Sequence, residues 1–341
     1  MKAIVMRAQG APEVLVMEDW PVPTPGPEEA LIEVRAVGVS FHDVVQRNGV
    51  FQRGVKFPMI IGNEIAGVVV AVGERVSLVA IGDRVCTKAF HSCGMCRRCR
   101  NGMETACKQR KSVHGGYAEQ VALHEEVLVK FPPEISFEAA CMLGIATGVA
   151  VNAVRDVAKV AIGETVLVTG ASGGLGLPTI ELCRASGARV IAVTRSEAKK
   201  DILLETGANH VVVTGDGEDF SEAVRALTDD EGVEVVIDNV GSRVFTPGFK
   251  ALAVGGRYIF VGQLFREDIK INPARIFFKR AAMLGVGSVR RDQLEDAVKL
   301  VAAGVLKPRV ARTFPLADAA KAHALVEAGE TVGRVVLQPT R

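Results

Sequence analysis

Cys93, Cys96, Cys99 and Cys107 fall in a C-x2-C-x2-C-x7-C run. Thiolates at this spacing can close a tetrahedron around zinc. Four of them leave no open position, which marks a structural and not a catalytic site. Arg97, Arg98, Arg100 and Lys108 flank the run and would offset the surplus negative charge of four thiolates on one Zn²⁺. One structural zinc per chain is therefore expected. A second pattern follows later. The apolar run Thr165–Thr169 enters Gly170-Ala171-Ser172-Gly173-Gly174-Leu175-Gly176, and a helical stretch begins. Strand, glycine turn and helix together bring backbone N–H groups and the helix dipole to a pyrophosphate. Ala171 stands at the first glycine of G-x-G-x-x-G, so the match is imperfect, but the context is that of a dinucleotide site. Gly170, Ser172, Gly173, Gly174 and Leu175 are its candidate contacts.

The end of the next strand selects the cofactor. An NAD site places an acid there, about 20 residues on, for the ribose 2′-hydroxyl. This chain instead reads Val193-Thr194-Arg195-Ser196, with Lys199 and Lys200 one turn later. Hydroxyls and cations suit a 2′-phosphate, which Arg can grip with paired, charge-assisted bonds. NADP(H) is expected, with Thr194, Arg195, Ser196 and Lys199 as contacts. Asn239, Val240, Gly262 and Leu264 follow parallel-type strands on the carboxyl side, where ligands bind such sheets. They are expected to line the nicotinamide pocket.

Strands and helices must hold these groups. Up to about residue 130 the chain has short β-like runs, among them Leu31–Val39 and Gly67–Val72, punctuated by Gly and by the Pro-rich stretch 21–27. From about residue 131, apolar strand runs alternate with helical stretches, which argues for a parallel sheet covered on both faces. Two amphipathic helices, 291–303 and 316–328, and a closing strand at 333–337 complete the pattern.

With 341 residues and 48% apolar composition, the chain can bury two cores. Its net charge of +2 gives no reason to expect nucleic acid or a membrane surface. No apolar run approaches the roughly 18 residues of a transmembrane helix. Cys86, Cys141 and Cys183 lie in apolar surroundings, which suits a reducing, cytoplasmic setting.

At this point the chain resembles the medium-chain dehydrogenase/reductase superfamily over essentially its whole length. The resemblance rests on Gly38-Val39-Ser40-Phe41-His42-Asp43, Gly62-Asn63-Glu64-Ile65-Ala66-Gly67, Gly82-Asp83-Arg84-Val85, the cysteine lobe, Gly115-Gly116-Tyr117-Ala118-Glu119 and the glycine turn. It implies an α/β protein with two domains. A GroES-like, mostly-β catalytic domain spans 1–130 and 289–341, with the lobe at about 91–110. A Rossmann doubly wound domain spans 131–288. A homodimer or homotetramer is implied as well. The superfamily's zinc alcohol dehydrogenases hold a catalytic zinc with three residues, which carry over to Ser40, Asn63 and Ile145. None is a good zinc ligand, so no catalytic zinc is expected.

The zinc-lacking branches that this chain looks like are the quinone oxidoreductases and the acryloyl-CoA (enoyl-CoA) reductases. They imply NADPH-dependent reduction of a C=C bond conjugated to a carbonyl, with a CoA thioester among the candidate substrates. Without a Lewis acid an unactivated alcohol is a poor hydride donor, whereas a conjugated alkene needs only hydrogen-bond donors for its enolate. His42 is the candidate proton donor, since imidazole titrates near neutral pH. Ser40 and Asn63 are candidate donors to the carbonyl or the nicotinamide amide. A Tyr found nearby in related reductases is replaced by Phe51. Asp43 and Glu64 match carboxylates that pair with a basic residue of the last strand, here Arg334, which is also counted beside the cofactor. Phe51, Phe90, Leu143, Ile145 and Phe265 are candidate substrate walls. Arg266, Lys279 and Arg280 are expected to be solvated surface charges, with a CoA phosphate as the alternative role. The alternatives are an alcohol dehydrogenase with an atypical site and a non-catalytic NADPH-binding protein.

Overall fold

The computed structural model describes residues 1–50, 55–215, 217–265 and 267–339. Phe51 and Arg266 lie outside the described residues. The chain divides into two units. One comprises Met1–Gly148, Ser288–Gly304 and Pro308–Arg341, and the other Val149–Gly287 with Val305–Lys307.

In the first unit the apolar alternation after Pro27 forms the strand Glu29–Val39. It pairs antiparallel with Glu64–Val72, Gln120–His124 and the closing strand Arg334–Gln338. Arg84–Thr87 and Leu128–Lys130 extend the sheet on one side and Val310–Pro315 on the other. Side chains of period two fill the core, including Ile4, Ile32, Val37, Ile65, Val69, Tyr117 and Leu337. The unit runs past residue 130, where the sequence pattern changes, because the helix Phe137–Cys141 packs on Glu29–Val39 and Glu64–Val72. The stretch that follows, Leu143–Gly148, is π-helical, and Thr147 donates to the Met142 carbonyl at 3.1 Å. Such single turns recur at functional sites.

The second unit is built on six parallel strands. Their spatial order is His210–Val213, Arg189–Thr194, Thr165–Val168, Val233–Asp238, Leu252–Phe260 and Ala282–Gly285. In chain order this is 3-2-1-4-5-6, the Rossmann arrangement. The order reverses between Thr165–Val168 and Val233–Asp238, and the crevice beyond their carboxyl ends is where such sheets bind ligands. Apolar, β-branched strand residues such as Leu167, Ile191 and Val236 are fully buried, as a sheet covered on both faces requires. A short helix, Ser221–Ala226, follows the strand His210–Val213, with the Asp219 carboxylate accepting the Ser221 N–H at 3.0 Å. No helix among the described residues is long and apolar enough to cross a membrane.

Candidate functional site

The four cysteine sulfurs converge. Sγ–Sγ separations are 3.5 Å for Cys96–Cys99, 3.5 Å for Cys93–Cys107, 3.9 Å for Cys96–Cys107 and 4.0 Å for Cys93–Cys99. A tetrahedron with Zn–S bonds of about 2.3 Å has edges of about 3.8 Å, so the cluster matches the ion in both size and chemistry. Backbone geometry makes this possible, with Gly94 at φ 67° and Gly102 at φ 72° turning the chain around the sulfurs. The lobe is further tied by Arg98 to the Ala106 carbonyl (2.6 Å) and by the Gln109 N–H to the Cys107 sulfur (3.4 Å). Among the described residues it is the one gathering of three or more metal-ligating side chains.

Ser40 and Asn63, two of the positions to which the resemblance assigns zinc ligands, lie at one end of the first unit's sheet, and Ile145, the third, lies in the π-helical stretch Leu143–Gly148. Gly38 pairs with Glu64, which sets Ser40 and Asn63 just beyond adjacent strand ends. The Thr87 hydroxyl donates to the Asn63 carbonyl at 3.0 Å, and a Cβ on Gly144 would sit 2.0 Å from the Thr87 carbonyl oxygen. Thr87 therefore joins Asn63 to the turn that carries Ile145. Ser40 caps the helix Phe41–Arg47: its hydroxyl donates to Asp43 Oδ2 at 2.7 Å, and its backbone N–H donates to the same oxygen at 2.8 Å. Its single hydroxyl hydrogen is thus engaged, and Ser40 does not offer it to a substrate carbonyl. Asn63 is 9% exposed, and its side-chain oxygen has no hydrogen-bond partner. That oxygen is a buried acceptor still open to a donor.

His42 is exposed on the first turn of the same helix. A second imidazole, not singled out by its sequence context, lies close by. His114 immediately precedes Gly115 and Gly116, whose N–H groups bond Ile60 and Gly62, so it flanks the Asn63 turn. Burial holds its pKa below the usual value, and His42 adds to this while Asp43 opposes it. Its signal was a His directly before the Gly-Gly-Tyr motif.

Beneath the pocket lies a buried polar layer. Glu64, with 0% exposure, accepts from Arg334 at 2.9 Å. Desolvation pushes its pKa up to about 7, with Arg334 opposing and Asp43 reinforcing the rise. The expected trio is thus divided, because Asp43 holds Ser40 while Arg334 serves Glu64. Arg334 was also expected beside the cofactor, but its side chain is largely buried and engaged here. The Tyr117 hydroxyl and His323 Nε2 lie 2.9 Å apart, and burial lowers His323 to about 4. Arg47, 1% exposed, reaches Glu327 at 2.8 Å.

In the second unit, Gly170 has φ 58°, a left-handed conformation that favours glycine. A Cβ there would press on Asn239 and Val240 at 3.2 Å, across the switch point. The backbone atoms of Gly173 are solvent-facing, as a phosphate cradle needs, whereas Ser172, Gly174 and Leu175 are half-buried. A Cβ on Gly176 would fall 2.4 Å from the carbonyl oxygens of Gly170 and Ala171. We therefore expect Gly176→Ala to open the turn and weaken dinucleotide affinity at least about tenfold, as measured by fluorescence titration of the reduced cofactor.

Asp238, missed in the sequence, organises this turn. Its Oδ1 accepts from the Thr169 hydroxyl (2.7 Å) and from the N–H groups of Val240 (2.9 Å) and Gly241 (3.0 Å). Its Oδ2 accepts from the Tyr258 hydroxyl at 2.8 Å. Asn239 then donates to the Thr169 carbonyl at 2.9 Å. The Leu264 N–H bonds Val240, and a Cβ on Gly262 would meet the Asn239 carbonyl at 2.6 Å. A cleft of about 410 Å³, lined in part by Gly241, Gly262 and Gln263, opens at these strand ends. At the end of Arg189–Thr194, Arg195 is exposed and the Thr194 hydroxyl accepts the Ser196 N–H at 3.3 Å. Lys199, expected at the phosphate, is only 9% exposed, and Lys200 pairs with Glu197 at 3.3 Å.

Comparison with known proteins agrees with both units. Residues 26–133 match the alcohol dehydrogenase GroES-like domain and residues 174–303 the zinc-binding dehydrogenase domain. Acryloyl-coenzyme A reductase of Metallosphaera sedula is 35% identical over 99% of this chain and 99% of its own length. Quinone oxidoreductase of Rattus norvegicus is 31% identical over 99% of this chain and 97% of its own. Among solved structures, AibC is 41% identical, with TM-score 0.93 over 100% of this chain and 96% of that one. A structure named NAD-dependent alcohol dehydrogenase is 36% identical, with TM-score 0.94 over 100% of both. A mycobacterial protein complexed with NADPH is 29% identical, with TM-score 0.84 over 99% of this chain and 100% of that one. The fold, the glycine turn at the switch point and full-length likeness to named reductases make the chain an oxidoreductase of the medium-chain dehydrogenase/reductase superfamily.

Proposed function

We propose that this oxidoreductase uses NADPH to reduce a C=C bond conjugated to a carbonyl, without a catalytic metal, and that its cysteine lobe holds one structural zinc. What carries the reading is that the three positions the resemblance assigns to zinc ligands read Ser40, Asn63 and Ile145, none a good zinc ligand, with Ser40 committed to its helix cap. The relatives named acryloyl-coenzyme A reductase and quinone oxidoreductase support an activated alkene or a quinone, and a CoA thioester is the first substrate to try. Exposed Arg195, with no acid at its strand end, and the neighbour complexed with NADPH support the phosphorylated cofactor.

Gly170, Gly173 and the Asn239–Gly241 turn would hold the cofactor's pyrophosphate and nicotinamide side. When bound, the cofactor supplies the hydride that the β carbon receives. Asn63 hydrogen-bonds the carbonyl, whose oxygen takes up the negative charge. His42, exposed at the helix start, delivers the proton to the α carbon. Homo-oligomers form through the second unit, where Ala282–Gly285 ends the sheet and Phe277 and Phe278 are 62% and 76% exposed.

The test is oxidation of NADPH against acryloyl-CoA, crotonyl-CoA, enones, quinones and simple aldehydes, with zinc analysis of the same preparation. Turnover of conjugated substrates with about one zinc per chain is expected. Activity confined to alcohols or aldehydes, with two zincs, would instead establish the alcohol dehydrogenase reading that the 36% identical neighbour represents. NADPH binding with no turnover across the panel would leave the non-catalytic reading.

A further inference from the structure

The cysteine lobe carries one acidic residue, Glu104, which is half-buried, against five exposed cations, Arg97, Arg98, Arg100, Lys108 and Arg110. Its partner is Lys88, whose side chain is 2% exposed. Lys88 Nζ donates to Glu104 at 3.1 Å and also to Glu126. Glu126 in turn accepts the N–H of Ser92, next to Cys93, at 3.3 Å. Glu104 accepts the Arg291 N–H at 3.2 Å, and the Arg291 side chain donates to the Glu126 carbonyl at 3.1 Å. A buried ammonium and two carboxylates thus bind both ends of the lobe to the sheet and to the helix Arg291–Ala302.

The same short stretch of backbone reaches the pocket. Thr87, the neighbour of Lys88, holds the Asn63 carbonyl and the Ile65 N–H through its hydroxyl. Its carbonyl leaves no room for a Cβ on Gly144, and Lys88 Cα lies 3.5 Å from that same Cβ position. On its other flank, a Cβ on Gly148 would touch Val289 at 2.5 Å, two residues before Arg291. The turn that carries Ile145 is therefore clamped between Thr87-Lys88 and the start of the helix that Glu104 caps. Packed backbones of this kind shift between discrete arrangements and do not deform smoothly.

We propose that Lys88 is a positioning residue that couples the four-cysteine lobe to Asn63 and Ile145, so that metal in the lobe and order in the pocket stabilise each other. The inference rests on the reading that the lobe holds zinc. Coupling of this kind is reciprocal: what zinc does for the pocket, the clamp does for zinc affinity.

The test uses the full chain, with zinc content measured first, followed by amide hydrogen exchange with and without a chelator. In the wild type, zinc removal is expected to raise exchange across 91–112 and also across 60–66 and 143–148. In Lys88→Met, and more mildly in Glu104→Gln, the two pocket segments exchange fast with zinc still bound. Both variants lose zinc to a competing chelator roughly 5-fold or more readily than the wild type. A rise confined to 91–112, or variants that hold zinc as tightly as the wild type, overturns the coupling while leaving the zinc site intact. A wild-type chain that binds no zinc overturns the lobe reading and the coupling together. Glu104→Gln keeps the experiment decisive if Lys88→Met does not fold.

Discussion

Arg334→Met is expected to destabilise the first unit by about 1–3 kcal/mol at neutral pH, and by more as pH rises, because it strips a fully buried carboxylate of the charge-assisted hydrogen bond from its cation. Glu64 has no exposed atom to hydrate, and its Oε2 has no hydrogen-bond partner even in the wild type. Once the pair is broken, the carboxylate can only bind a proton. The wild type already shows this tension, since burial outweighs Arg334 and pushes Glu64 from an ordinary 4.5 to about 7. The folded state therefore holds this proton at a pH where the unfolded chain has released it. Stability is full below about pH 4.5 and falls as pH rises through about 7. A rise of this size corresponds to a loss of about 3 kcal/mol over that window. In Arg334→Met the loss continues to higher pH, because the opposing cation is gone. Glu64→Gln flattens the slope. Urea unfolding at pH 5, 6, 7 and 8 measures all three, and an unchanged slope in Glu64→Gln would reject the assignment.

Cys107→Ser is the second large effect. Cys107 is 3% exposed and lies 3.5 Å from Cys93 and 3.9 Å from Cys96. Without its thiolate, three sulfurs cannot close the shell. Binding of structural zinc carries about 10–16 kcal/mol in small zinc domains, and that energy is folding energy. The lobe has no apolar core of its own to replace it, since Met95 and Met103 are 73% and 51% exposed. Zinc content is expected to fall from about one per chain to near zero after dialysis. Trypsin should then cut at the exposed Arg97, Arg98 and Arg100, and Tm should fall by about 10 °C. A variant that keeps stoichiometric zinc and resists trypsin would show that the lobe stands without the ion.

The groups that proved legible in sequence are close together along the chain. The four cysteines span a short loop, so spacing nearly fixes the distances between their sulfurs. The glycine turn is legible for the same reason: strand, tight turn and helix follow one another without interruption. The strand runs around Thr165, Arg189, His210 and Val233 read as apolar and β-branched because both faces of a parallel sheet are covered. The roles of polar residues were less legible. Ser40 looked like a donor to substrate, but Ser followed three residues later by Asp is also a capping pattern, and the helix uses it that way. Lys199 looked like a phosphate ligand, but its position in the Glu197–Lys199 turn faces it inward. Asp238 ended a strand and drew no notice, although four donors converge on it.

The sequence by itself determined the family, the two kinds of unit, the four-cysteine set, the glycine turn and the absence of Cys or His at positions 40, 63 and 145. Each is a matter of residue type at short spacing. Only the tertiary structure decided which charges are spent. Glu64 meets Arg334 across 270 positions and Tyr117 meets His323 across 206. Such pairs depend on which strands lie side by side, and no local spacing encodes that. Lys88 is the clearest case. In sequence it is an ordinary cation after a strand, and in the fold it is buried between the lobe and the pocket, where a charge persists only if carboxylates are brought to it.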